Sequence, residues 1–179
     1  MAAVPELAPK GLLTGLFNDG ESAELAYQAC LDLGYEIGDV NVIVAEGTRQ
    51  RLLKDEEDIK ARLAGHKAEG GELGGPSGGR AGMLLAIVAA VGAAIAIPAV
   101  GFIAGPLAVA LTAAGAAGVA VGLVSLLADW GVPAERIRHY ESAIQAGSIL
   151  MVVETRNAED VRRLEADWKK HGGRDIFYR

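Results

Sequence analysis

Between Arg80 and Asp129 the chain carries no charged side chain for about 48 residues, from Ala81 to Ala128. This run constrains the fold more than any other stretch, because so long an apolar segment has to be hidden by protein or by lipid. Ala and Gly supply about half of it, and Thr112 and Ser125 are its polar interruptions. Small residues recur at helical spacing: Ala86, Ala90 and Ala94, then Gly101 and Gly105, then Ala110, Ala114, Gly118 and Gly122. Residues four apart share a helical face, so each series makes a smooth strip that a second backbone can approach closely. The run predicts a surface for packing and assembly, with no catalytic character.

Pro98 and Pro106 divide the run, since neither donates a backbone hydrogen bond and each disfavours helix at the residue before it. The spacing predicts a helical hairpin over 82–97 and 107–128, joined by an apolar connection at 98–106. At 1.5 Å per residue the arms reach about 24 and 33 Å, against a bilayer core of about 30 Å. A conventional pair of membrane spans fits poorly. A re-entrant hairpin, or a hairpin buried among copies of itself, fits better.

Both ends of the chain read as mixed α/β. Leu12–Phe17 is a short apolar strand ending in Asn18-Asp19-Gly20, and Asn18 with Glu21 resembles a capping box. Ala23, Ala26, Tyr27, Cys30 and Leu33 then repeat at helical spacing up to Gly34, and Val40–Ala45 alternates as a second strand. A charged helix is expected over 49–64, and the Gly-rich stretch 65–80 reads as a flexible linker. After the hairpin, residues 131–147 return to the sheet as a helix with Ile137, Tyr140 and Ile144 on one face. Ser148–Glu154 is a strand apolar on both faces, Asn157 with Asp160 caps a last helix, and Asp175–Tyr178 is a final short strand. With 49–147 set aside, segments 11–48 and 148–179 give two β-α-β units, an α+β ferredoxin-like domain interrupted by a long insertion.

Several short motifs resemble the general stress protein family of the YflT type. Thr14-Gly15-Leu16-Phe17, Ala26-Tyr27, Leu33-Gly34-Tyr35 and Asp39-Val40-Asn41-Val42 resemble its opening half. Gly131-Val132-Pro133, His139-Tyr140-Glu141 and Ala146-Gly147-Ser148-Ile149-Leu150 resemble its closing half, beyond a Gly/Ala-rich apolar centre. The resemblance implies a bacterial protein linked to general stress, with no established enzymatic activity and no catalytic residues to carry over.

The residues themselves offer little chemistry. His66, His139 and His171 show no metal-ligand spacing, and the Gly-rich linker lacks the ending of a phosphate-binding loop. Gly75-Pro76-Ser77-Gly78-Gly79 satisfies G-x-S-x-G literally, yet no strand precedes the serine. Lone Cys30 reads as a small core residue and suits a reducing cytosol. Tyr140 and Glu141 form the most site-like pair, a hydroxyl and a carboxylate at the end of the sheet. No catalytic residue, metal or cofactor is expected, and a net charge of −6 argues against nucleic acid as a partner.

Three functions follow from this reading. The first is a non-enzymatic stress protein that forms a homo-oligomer in the cytoplasm through its hairpin. The second inserts the hairpin into inner-membrane lipid. The third senses a small ligand on the open face of the sheet, by analogy of fold.

Overall fold

Residues 11–17 (Gly-Leu-Leu-Thr-Gly-Leu-Phe) are buried throughout, as befits an uncharged strand covered on both faces. The computed structural model describes residues 11–36, 39–52, 54, 94–97, 101–104 and 127–179. The chain order is β1 (Gly11–Phe17), α1 (Gly20–Asp32), β2 (Val40–Val44), β3 (Ala94–Ile97), β4 (Gly101–Ala104), α2 (Ala134–Gln145), β5 (Ile149–Thr155), α3 (Ala158–Lys170) and β6 (Arg174–Tyr178). Residues 46–52 and 127–129 are helical as well. The protein is α+β, and the described strands form one antiparallel sheet in the order β3-β4-β2-β5-β1-β6.

The two seven-residue strands, β1 and β5, lie side by side in this sheet. β1 pairs with β5 along its whole length, from Gly11 opposite Thr155 to Phe17 opposite Ile149. On the other flank of β5, Val40 to Ile43 pair with Val153 to Leu150. Segments separated by about 100 residues of sequence are thus joined by main-chain hydrogen bonds.

Strand alternation sorts the core into two layers. Leu13, Phe17, Val40, Val42, Val44, Ile149, Met151 and Val153 face one way and pack with Ala23, Ala26, Tyr27 and Cys30 of α1 and with Val161, Leu164 and Trp168 of α3. Leu12, Leu16, Ile43, Leu150 and Val152 face the other way, against Ile137, Tyr140 and Ile144 of α2 and Leu127 and Val132 before it. Gly15 interrupts β1 where the indole of Trp168 lies on the strand. A Cβ there would stand 2.8 Å from Trp168 Cε3. The ring is fixed by Nε1 donating to the Ala26 carbonyl at 3.1 Å and by an edge-on contact with Phe17, centroids 5.5 Å apart.

The helix ends follow local chemistry with one shift of register. Asp19, and not Asn18, caps α1: its Oδ1 accepts from the Ser22 amide at 2.8 Å. Asn18 is taken up elsewhere, its Oδ1 accepting from Ser148 and Arg174. Asn157 caps α3 as its sequence suggests, accepting from the Asp160 amide at 2.8 Å. Gly34 and Gly147, at φ +82° and +107°, end their helices in conformations a side chain would disfavour.

The insertion departs from expectation at its start and again in its middle. The charged helix opens at Glu46, three residues before Arg49, with the Gln50 amide donating to the Glu46 carboxylate one turn earlier. More consequentially, residues 94–97 are strand β3 where the last turn of a helical arm was expected, and 101–104 are strand β4 inside the expected connection. β4 pairs with β2 from Val42 opposite Ala104 to Val44 opposite Phe102, and β3 pairs with β4. Two influences favour strand here. Ile95, Ile97, Phe102 and Ile103 prefer extended backbone, and the outer edge of β2 presents main-chain groups that need partners. Residues 127–128, the end of the expected second arm, are helical; the remainder of the expected hairpin, the linker 65–80 and most of 49–64 lie outside the described residues.

Candidate functional site

Tyr140 lies on the inner face of α2 and is fully buried, so its hydroxyl has to be matched within the protein. It donates to the Asp175 carbonyl at 3.0 Å and stands 2.7 Å from Thr14 Oγ1. The Thr14 hydroxyl in turn has the Tyr140 oxygen and, at 3.3 Å, the Phe177 carbonyl as acceptors. One phenol therefore links α2, strand β1 and the edge strand β6. Burial pushes the phenol above its ordinary pKa, which leaves it a weaker acid than free tyrosine.

Asp175 gathers further contacts from α2. Its carboxylate meets His139 Nε2 at 2.8 Å, and its carbonyl also accepts from Arg136 at 3.4 Å. The Arg136 guanidinium stacks 4.6 Å above the Phe177 ring. Asp175 has φ +50°, in the left-handed region that Asp tolerates better than most residues. The pairing of β6 with β1 shifts register between Thr14 and Leu16, so β6 carries one extra residue there.

A second polar cluster closes the opposite side of the sheet. Tyr35, after α1, donates its hydroxyl to Asp160 Oδ2 at 2.7 Å, and Arg156 Nε donates to the same oxygen at 3.0 Å. The Arg156 guanidinium lies 4.1 Å from the Tyr35 ring centroid and donates to the Leu33 and Gly34 carbonyls at the end of α1. Burial would raise the Asp160 carboxyl, but the hydrogen bonds from Tyr35 and Arg156 outweigh it and hold the group below its usual range. Arg156 thereby ties the C-terminal end of α1 to the first turn of α3.

Neither cluster is arranged as catalytic machinery. The buried polar side chains named above bond to one another or to main-chain carbonyls, and among the residues of these two clusters no activated nucleophile stands beside a base. Cys30 lies in the core with its Sγ against the Ala26 carbonyl, and burial pushes the thiol up to about 12, away from thiolate chemistry. Among the described residues no group of His, Cys, Asp and Glu is placed to hold a metal ion.

The residues singled out from sequence fare differently. Tyr140 is a buried cross-link, and neighbouring Glu141 is half-buried. The sheet face expected to stand open for a small ligand is covered over β1 and β5 by α2. Ala94 and Gly101 lie in β3 and β4, so they belong to no helical strip. Ala86, Ala90, Gly105, Ala110, Ala114, Gly118, Gly122, His66 and Ser77 lie outside the described residues. Sequence reading missed Thr14, Asp175 and the Tyr35–Arg156–Asp160 group. Asp160 was legible as part of a capping pattern, whereas the partners of Asp175 lie about 35 residues away and leave no local signal.

No protein-family model, curated protein or solved structure matches the chain.

Proposed function

We propose that this chain is a non-enzymatic bacterial general-stress protein that assembles with copies of itself through its uncharged run, presented by a ferredoxin-like domain. The observation that carries the proposal is the run itself, about 48 residues from Ala81 to Ala128 without a charge. Two described portions of it, β3 and β4, are hydrogen-bonded into the sheet beside β2. The run is therefore anchored to the folded domain at those strands. The strand order β2-β5-β1-β6, with α1 and α3 packed in one layer, supports the ferredoxin-like reading. The stress assignment rests on the turn and packing motifs of both halves. The mutual bonding of the polar clusters supports a structural role over catalysis.

Self-packing also suits the composition of the run. Ala and Gly gain little from lipid compared with Leu, Ile or Phe, whereas close backbone approach rewards them through dispersion contacts. Among the described residues no helix is long and apolar enough to cross a membrane. Sedimentation and native mass measurement of protein prepared without detergent test the proposal, with a multiple of the 18.5 kDa chain expected. Replacing Gly118 and Gly122 together by Leu should lower or scatter that mass by adding bulk at close contacts. A well-behaved monomer would overturn self-assembly, and protein recoverable only in detergent would favour insertion into inner-membrane lipid.

A further inference from the structure

We draw no further inference here: the strongest candidate, the outer main-chain edge of strand β3 (Ala94–Ile97) at one end of the six-stranded sheet, carries nothing because nothing in the structure shows what covers it.

Discussion

Tyr140 on α2 and Asp175 on β6 meet through a side-chain to main-chain bond, the phenol donating to the Asp175 carbonyl at 3.0 Å. That carbonyl belongs to a residue at φ +50°, in the stretch where β6 carries one residue more than β1. The bulge thus does two things. It offers main-chain and carboxylate oxygens to α2, and it disrupts the regular ladder along an edge that could otherwise recruit another strand.

Replacing Tyr140 by Phe should destabilise the fold by about 1–2 kcal/mol, since Thr14 and the Asp175 carbonyl each lose a buried partner. For a chain of this size that lowers the melting temperature by roughly 2–4 °C per kcal/mol. Pairing it with Thr14→Val closes a double-mutant cycle, and a coupling of about 0.5 kcal/mol or more is expected between groups 2.7 Å apart. Additive losses within error would show that the hydroxyl is solvated and not a cross-link.

Gly15→Ala sets two effects of opposite sign against each other. Replacing a strand glycine by alanine ordinarily gains about 0.5–1 kcal/mol of backbone entropy. Here the new methyl would stand 2.8 Å and 3.0 Å from two atoms of the Trp168 ring. The indole is pinned by its bond to Ala26 and by Phe17, so it cannot swing aside cheaply. Overpacking of this kind costs about 1–3 kcal/mol, and a net loss is expected in denaturant unfolding. A variant more stable than the parent would show that the ring is free to move.

How much of this was legible in sequence depends on the range of the interactions involved. β1 and β5 are apolar on both faces and bounded by turn residues, and α1 and α3 repeat at helical spacing, so short windows suffice to find them. β3 and β4 escape such windows. In a run where Ala and Gly recur at almost any period, small residues at Ala86, Ala90 and Ala94 match a helical strip without forming one at Ala94. β4 is held by pairing with β2, about 60 residues back in sequence, and β3 by pairing with β4 in turn, so the outcome depends on a partner that local propensity cannot register. The polar clusters follow the same logic. Tyr140 is conspicuous by itself, but its partners Thr14 and Asp175 are separated from it by 126 and 35 positions.

Asp160 makes stability depend on pH with a definite sign. Its folded pKa lies below its ordinary value, so its contribution is fully present above about pH 4 and is lost as pH falls through the folded pKa. Asp160→Asn should therefore cost stability at neutral pH, about 1–2 kcal/mol for bonds to a largely buried carboxylate whose Arg156 partner is half-exposed. The gap between parent and variant should narrow as the medium is taken to pH 3 and below. Unfolding curves collected from pH 7 to 2.5 measure this. A gap that stays constant across the series would mean that the carboxylate charge contributes nothing.

The last prediction concerns the halves of the sheet. Cutting the chain between residues 70 and 80 leaves β1, α1 and β2 on one fragment and β3 to β6 on the other. Each fragment alone would expose much of both core layers. β5 lies between β1 and β2, bonded to both, so every described strand of the first fragment is paired with a strand of the second. Trp168 adds a cross-fragment bond to the Ala26 carbonyl, and Arg156 adds two to the end of α1. Limited proteolysis followed by size exclusion under native conditions should yield one peak holding both fragments, and denaturant should be needed to part them. Joint elution is expected from the shared sheet in a monomer and in an assembly alike. Spontaneous separation into two folded pieces would refute the pairing of β5 with both strands, and with it the architecture described above.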